Sequence, residues 1–267
     1  MIADKEKILK RYEKEDEDGR FLKSRNGSME FFYTKKHLSD FITPDSRVLE
    51  IGCGTGYYGM YFADKCAEYV GIDLVPKHIS VFNEKIAEKG LKNVRCAVGD
   101  ATDLHDIDDN SFDVVLSLGP MYHLSEPERK KAFSECARIC TPGGIGAFAY
   151  ITSCGVYAGA CIDFAEIYPN RVANESVFEL GTDDHRPGLF WYVMPEDIES
   201  EAAAYGFDKI KDLGTDFFIF DKTVNEMDEE KFELMRPLYD RITSSESCTG
   251  MSNHALLICK KKGPIPT

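Results

Sequence analysis

Three acidic residues, each placed where a predicted strand ends, carry the clearest chemical signal in this chain. Glu50 lies in a strand that runs into the glycine-rich turn Gly52-Cys53-Gly54-Thr55-Gly56. Asp73 ends a second strand, and Asp100 follows a third. Because ligands of open parallel sheets bind beyond the carboxyl ends of the strands, we expect the three carboxylates to share one ligand site.

The positions of these acids indicate a class of ligand. Glu50 would repel a pyrophosphate, but it suits a ligand that carries ammonium and sulfonium charges. Asp73 can accept hydrogen bonds from two ribose hydroxyls, and Asp100 can accept one from an adenine amino group. The match of Gly54-x-Gly56-x-x-Gly59 to a dinucleotide fingerprint is weak, because the turn already begins at Gly52. The pattern favours an adenosyl sulfonium; a turn or helix cap is the alternative role for Asp100.

Strands and helices alternate from residue 47 onward, and this alternation predicts the elements that position the acids. It indicates an α/β fold of the doubly wound, Rossmann-like type, with a mostly parallel sheet and helices on both faces. Residues 1–45 are predicted to form an N-terminal helical extension, and residues 46–267 the ligand-binding domain. The irregular segments 152–194 and 222–250 are predicted to cover the ligand-binding edge as a cap.

The chain from about residue 45 to 151 closely resembles the class I S-adenosylmethionine-dependent methyltransferases, especially the small-molecule branch related to ubiquinone-biosynthesis methyltransferases. Five blocks carry the resemblance in the family order: Glu50-Ile51-Gly52-Cys53-Gly54-Thr55-Gly56, Gly71-Ile72-Asp73, Gly99-Asp100-Ala101, Ser111-Phe112-Asp113-Val114-Val115 and Pro142-Gly143-Gly144. The resemblance implies a seven-stranded sheet whose last strand is antiparallel, and S-adenosyl-L-methionine as the cofactor, with S-adenosyl-L-homocysteine as its product.

The resemblance also implies a role for each residue in the cofactor site. Its cofactor-binding positions, in the order methionine part, ribose and adenine, are Glu50 with Gly52, Cys53 and Gly54, then Asp73 with Leu74, then Asp100 with Ala101. The backbone at Leu118, just after the fourth strand, would pass beside the cofactor. Tyr33, in an aromatic N-terminal cluster, would close over it; packing in the core is the alternative for this side chain.

The segment Leu118–Leu124 is expected next to the transferred methyl group, and it supplies the candidate catalytic residues. It lacks the Asn/Asp-Pro-Pro-Tyr sequence typical of adenine or amide methylation, and it lacks the Pro-Cys pair of pyrimidine methylases. His123 is the candidate general base, since an imidazole titrates near neutral pH; capping or packing is its alternative. Tyr122 is a candidate for lining the acceptor site, and His185, in the cap, is the second candidate base.

The composition excludes several other kinds of protein. The formal net charge of -14 disfavours nucleic acid as a partner. The nine cysteines include no Cys-x-x-Cys pair, so neither a disulfide framework nor a metal site is predicted. No apolar run approaches the roughly 18–20 residues that span a bilayer, and the N-terminus lacks the apolar core of a signal peptide. We therefore expect a cytoplasmic protein, a monomer or homodimer, that does not bind membranes.

The sequence thus predicts an S-adenosylmethionine-dependent methyltransferase that methylates an oxygen, nitrogen or carbon atom of a small molecule. Three alternatives stay open at this point: a non-catalytic protein that binds the same cofactor, an RNA or protein methyltransferase, and a nicotinamide-dependent oxidoreductase. The last leaves Glu50 and Asp100 without a role.

Overall fold

The strands of the central sheet follow the alternation predicted from residue 47 onward. The computed structural model describes residues 5–15, 17–183, 185–217 and 220–263. Its strands are β1 (Arg47–Ile51), β2 (Glu68–Asp73), β3 (Val94–Val98), β4 (Phe112–Ser117), β5 (Cys140–Thr152), β6 (Tyr192–Val193), β7 (Phe207–Gly214) and β8 (His254–Lys261).

The described strands form one sheet in the order β3-β2-β1-β4-β5-β8-β7, and β6 pairs separately with the end of β5. The pairs formed among strands β1 to β6 are all parallel, whereas β8 is antiparallel to both β5 and β7. This confirms the predicted mostly parallel sheet with an antiparallel last strand. The structure adds an eighth, two-residue strand, β6, inside the segment 152–194 that was predicted to be an irregular cap.

Helices surround the sheet and precede it. They are α1 (Lys5–Lys14), α2 (Arg25–Leu38), α3 (Tyr57–Phe62), α4 (Pro76–Lys89), α5 (Glu126–Ile139), α6 (Ser153–Asp163), α7 (Arg171–Asn174), α8 (Pro195–Ala204), α9 (Asp221–Glu226), α10 (Glu229–Ile242) and α11 (Glu246–Thr249). Short 3-10 helices span Glu17–Leu22 and Pro120–His123, and a π-helical turn spans Glu175–Glu179. None of the helices in the described ranges is long and apolar enough to cross a membrane.

Both faces of the sheet are buried, because successive side chains of each strand point to opposite faces and helices cover both. On one face Leu49 of β1 belongs to a cluster with Phe133 of α5 and Ile198 of α8. On the other face Val48 belongs to a cluster with Phe82 of α4, together with side chains of α2 and α3. This two-sided burial explains why β1 after Arg47 is apolar except for Glu50.

A third cluster joins α2 to the segment 222–250. It contains Met29 and Tyr33 of α2, Phe217, Val224 of α9 and Tyr239 of α10, all buried. Helix α2 is therefore packed against a part of the chain that lies about 200 residues later.

Candidate active site

A cavity opens where β1 to β4 end, and we call it the strand-end cavity. Its lining includes most of the residues predicted from the sequence to bind cofactor or substrate: Glu50, Gly52, Cys53, Gly54, Asp73, Leu74, Asp100, Ala101, Leu118, Tyr122 and His123. The parallel strands bring these residues together from four separate stretches of chain, as the rule for open α/β sheets requires.

Glu50 lies at the base of the strand-end cavity with only 1% of its surface exposed. The Tyr69 hydroxyl of β2 donates to Glu50 Oε2 over 2.7 Å. Burial raises the pKa of the Glu50 carboxyl to about 8; the hydrogen bond from Tyr69 opposes this rise and the nearby Asp73 adds to it. The free protein therefore holds Glu50 largely protonated at neutral pH, and a cationic ligand would favour its ionised form.

Asp73 holds the glycine-rich turn in position. Its Oδ2 accepts from the backbone N–H of Gly54 over 2.8 Å, and its Oδ1 accepts from that of Val75 over 2.8 Å. His78 Nδ1 lies 3.2 Å from the same Oδ1. The carboxylate is thus fixed at the junction between the turn after β1 and the start of α4.

The glycines of the turn have two different physical roles. Gly52 has a φ of +76°, and a Cβ built there would lie 2.5 Å from Pro120 Cδ, so no larger residue fits beside the loop after β4. Gly54 has a φ of +52°, and a Cβ there would meet only Glu17 Cγ, at 3.8 Å. The backbone at Gly54 therefore faces open cavity, as expected where a ligand approaches the main chain.

Asp100 lies after β3 and is bonded on both carboxylate oxygens. Its Oδ1 accepts from the Thr102 backbone N–H over 2.9 Å and from the Thr102 hydroxyl over 2.8 Å. Its Oδ2 forms an ion pair with Lys5 of α1. Burial alone would raise the pKa of Asp100, but the hydrogen bonds from Lys5 and Thr102 lower it, so the group is a carboxylate.

His123 links three parts of the chain. Its Nδ1 lies 2.8 Å from the carbonyl oxygen of Leu189, and because a carbonyl only accepts, Nδ1 carries a proton. In the neutral ring, Nε2 then accepts from the Tyr12 hydroxyl of α1, 2.8 Å away. The neighbouring Tyr122 hydroxyl donates to Leu118 O over 3.4 Å. The role of His123 as general base stays a prediction, and both its ring nitrogens are engaged in this structure.

Two predicted site residues lie outside the strand-end cavity. Tyr33 is buried in the cluster of α2 and α10, where its hydroxyl donates to Asp240 Oδ1 over 3.2 Å and its ring is parallel to that of Tyr239. This is the packing role that was its alternative. His185 is exposed on the segment 152–194, with its ring centroid 6.0 Å from that of Tyr168, and it lines a separate surface cavity.

Residues of α1 line the strand-end cavity, and the sequence did not single them out. Lys5, Ile8 and Tyr12 reach the cavity from this helix, and Ile8 is its buried apolar residue. Their signal is an ordinary charged, amphipathic helix, which indicates a buried face but not the surface that it covers.

An acidic cluster with one histidine also escaped the sequence analysis. His254 Nδ1 lies 3.1 Å from Asp216 Oδ2 and 3.8 Å from Glu30 Oε2. Asn253 Nδ2 donates to Asp216 Oδ2 over 3.3 Å, and the His254 backbone N–H donates to Oδ1 over 2.7 Å. Burial would raise the pKa of Asp216, but the contacts with His254 lower it. The side chains of Glu30, Asp216 and His254 are close enough to share a metal ion. His254 and Asp216 can also act as a histidine–carboxylate pair without a metal ion.

A second cavity adjoins the first, and we call it the arginine cavity. Its lining residues are Arg11, Tyr12, Glu15, Glu17, Lys23, Tyr122, Ile151, Val156, Arg186, Phe190, Tyr192, Asn253 and His254. Tyr12, Glu17 and Tyr122 line both cavities. The three predicted acids therefore face one compartment, while His254 faces the compartment next to it.

Comparison with known proteins finds that the central part of the chain is similar to methyltransferases. Residues 48–144 match the family described as "Methyltransferase domain". The chain is 34% identical over 99 residues to the ubiquinone biosynthesis O-methyltransferase of Maricaulis maris, which is 37% of this chain and 38% of the relative. It is 31% identical over 115 residues to the phosphoethanolamine N-methyltransferase of Plasmodium falciparum, which is 42% of this chain and 41% of the relative.

The matched part spans about two fifths of the length of the curated relatives that it matches. The fold likeness extends further along the chain. The PH0226 protein of Pyrococcus horikoshii superposes with a TM-score of 0.60 at 18% identity, over 90% of this chain and 93% of that one. The region from residue 48 to 144, with its glycine turn and strand-end acids, is therefore similar to the methyltransferase domains of these relatives, and the fold is that of a mostly parallel α/β sheet shared with the solved structure.

Proposed function

We propose that this protein transfers the methyl group of S-adenosylmethionine to a small molecule. The observation that carries the proposal is the strand-end cavity, in which Glu50, Asp73 and Asp100 surround a glycine turn whose backbone faces open space. The three acids suit the three parts of S-adenosylmethionine. The buried carboxyl of Glu50 suits the methionine part, Asp73 at the turn suits the ribose, and Asp100 after β3 suits the adenine.

Each residue of the cavity has a proposed part in binding. Glu50 and the main chain of the turn Gly52–Gly54 bind the methionine part, and Asp73 with Leu74 binds the ribose. Asp100 with Ala101 binds the adenine, which requires Lys5 to share this carboxylate or move from it. Leu118 contacts the cofactor from the end of β4.

The acceptor is proposed to lie beside Tyr122, the side chain after β4 that lines both cavities. When bound, S-adenosylmethionine would supply an activated methyl group: its carbon–sulfur bond would break as the bond to the acceptor atom forms, S-adenosylhomocysteine would be left, and the acceptor would release a proton. Tyr122 and the side chains around it position the acceptor and exclude water. The proton acceptor that we favour is His254, because Asp216 orients its ring through Nδ1 and stabilises the charged form.

The other two candidate bases are placed less well for this role. His123 is held between Tyr12 and Leu189, so it would have to give up a hydrogen bond to accept a proton. His185 lies in a different cavity from Tyr122. The named relatives methylate oxygen in one case and nitrogen in the other. The atom methylated by this protein is therefore proposed only as a nucleophilic oxygen, nitrogen or carbon of a small molecule.

Isothermal titration calorimetry with S-adenosylmethionine and with NAD tests the proposal. We expect saturable binding of S-adenosylmethionine and no saturable binding of NAD. Asp73→Asn should weaken this binding by about tenfold or more, since it removes the charge from two hydrogen bonds to the ribose. Asp64→Asn is the matched control, because Asp64 is exposed and lies outside the cavity. Tighter binding of NAD, or equal binding by the Asp73 variant, would contradict the proposal.

A further inference from the structure

The arginine cavity carries an inference about the acceptor itself. We propose that this cavity binds the methyl acceptor through an anionic group, a phosphate or a carboxylate, held by Arg11 and Arg186. The inference rests on the proposed function, since it needs a methyl donor in the adjoining strand-end cavity. It deepens that function by naming the chemical class of acceptor.

Two guanidinium groups meet at one aromatic ring in this cavity. Arg11 Cζ lies 4.9 Å from the centroid of the Phe190 ring, and Arg186 Cζ lies 5.3 Å from the same centroid. Guanidinium groups are attracted to aromatic rings and keep their N–H edges available for other bonds when they lie against them. Phe190 therefore contacts guanidinium groups from two separate segments of the chain, and both arginines line this cavity.

Arg11 has a donor that the protein does not satisfy. Its Nη2 pairs with Glu15 Oε1 over 3.0 Å, one turn along α1. Its Nε is buried and has no hydrogen-bond partner among the described residues. A buried N–H without an acceptor is unfavourable, so an anion that drew the Arg11 guanidinium further into the cavity would give this donor an acceptor.

Arg186 is oriented by Asp183, which engages only some of its guanidinium N–H donors. Its Nε and Nη2 lie 3.3 and 3.0 Å from Asp183 Oδ2, whose side chain is mostly buried. Asp183 Oδ1 in turn accepts from the backbone N–H groups of His185 and Arg186. A guanidinium has five N–H donors, so a fixed arginine with two of them engaged retains donors for a ligand.

The charged side chains that line the cavity favour an anionic acceptor. The cavity lining includes Arg11, Lys23 and Arg186 as cations and Glu15 and Glu17 as acids, in a chain whose formal net charge is -14. Arginine pairs with carboxylate and phosphate through two parallel hydrogen bonds, which gives geometric specificity as well as attraction.

The arginine cavity is also lined by the residues proposed for the chemistry. Tyr122 and His254 both line it, and their ring centroids are 5.7 Å apart. An acceptor with its anionic group at Phe190 would therefore extend its nucleophile toward Tyr122, where the two cavities adjoin. The acceptor is thus a small molecule with an anion at one end and the methylated atom at the other.

Titration calorimetry with two simple anions tests this inference. Inorganic phosphate and acetate are titrated separately, at constant ionic strength, into protein saturated with S-adenosylhomocysteine. We expect saturable binding of at least one anion, and the tighter one distinguishes a phosphate from a carboxylate group. Arg11→Gln and Arg186→Gln should each weaken that binding by about tenfold, the effect of one charge-assisted hydrogen bond.

Arg171→Gln is the matched control, because Arg171 is exposed on α7 in the same segment and does not line the arginine cavity. We expect its anion affinity to stay within about twofold of the unmodified protein. The inference is overturned if neither anion binds saturably, or if the Arg11 and Arg186 variants bind like the control. Binding of S-adenosylhomocysteine is measured separately, so its loss would instead contradict the proposed function.

Discussion

At the scale of single residues, we expect Glu50 to couple ligand binding to the stability of the fold. A carboxyl group with 1% exposure and one hydrogen bond, from Tyr69, is more stable neutral than charged. Its pKa is about 8 in the folded protein and 4.5 for an unperturbed glutamate. The contribution of this group to stability is therefore fully present below pH 4.5 and is lost as the pH rises through about 8.

Glu50→Gln should remove this pH dependence. The amide keeps the acceptor for Tyr69 but cannot ionise, so the free variant should gain stability over the unmodified protein between pH 5 and pH 9. The gain should grow by about 4 kcal/mol in the free energy of unfolding across this pH range, measured by urea denaturation. The same variant should bind S-adenosylmethionine about tenfold more weakly, because the charge that faces the cation is gone.

Glu88→Gln is the control for this measurement, since Glu88 is exposed near the end of α4 and does not line the cavity. Its difference from the unmodified protein should not change with pH. A pH-independent difference for the Glu50 variant as well would show that the Glu50 carboxyl titrates normally, and the proposed coupling would be wrong.

The strand-end acids could be predicted from the sequence because local features fix their places. An apolar run ending in glycines defines the end of β1, and the acid in that run stands out against its neighbours. His254 and Asp216 could not be paired in this way, because they are 38 positions apart. Their contact depends on how β8 pairs with β7, and this pairing follows from the whole sheet rather than from a local pattern.

At the scale of elements, α1 covers the strand-end cavity and is held there by polar contacts at several points. The Tyr12 hydroxyl bonds His123 Nε2, Lys5 pairs with Asp100, and Lys77 Nζ donates to the carbonyl oxygen of Glu13 over 3.1 Å. Helices that close over a ligand slow its release when they must move before it leaves. We therefore expect α1 to control how long the cofactor stays bound.

Tyr12→Phe should speed dissociation of S-adenosylmethionine by about 2- to 10-fold, because it removes one hydrogen bond, from Tyr12 to His123, that holds α1 closed. The dissociation rate can be measured by stopped-flow displacement with S-adenosylhomocysteine. Tyr61→Phe is the control, since Tyr61 is on α3 and does not line the cavity. An unchanged rate for the Tyr12 variant would show that this contact does not hold the helix over the ligand.

The existence of the main elements was predictable, and the position of several was not. Ser125 followed three residues later by Glu128 is a sequence pattern typical of a helix start, and the capping box is present where α5 begins. The segment 152–194 gave no clear periodicity, because its helices are short and its strand β6 has two residues. A strand of that length leaves no alternating pattern, so its pairing with the end of β5 could not be predicted.

At the scale of the whole molecule, two cavities adjoin at Tyr122 and differ in the charged side chains that line them. The strand-end cavity is lined by Glu50, Asp73 and Asp100, with Lys5 paired to Asp100, whereas the arginine cavity is lined by Arg11, Lys23 and Arg186 together with Glu15 and Glu17. This separation suits a cationic methyl donor on one side and an acceptor with an anionic group on the other. A negative chain as a whole can therefore still bind an anion, since a local field decides binding within a cavity.

A crystal structure of the protein grown with S-adenosylhomocysteine tests the central claim most directly. We expect the ligand in the strand-end cavity, with its amino group toward Glu50, its ribose hydroxyls on Asp73 and its adenine amino group toward Asp100. Density for the ligand at any other place, or a strand-end cavity that stays empty at saturating concentration, would contradict the assignment.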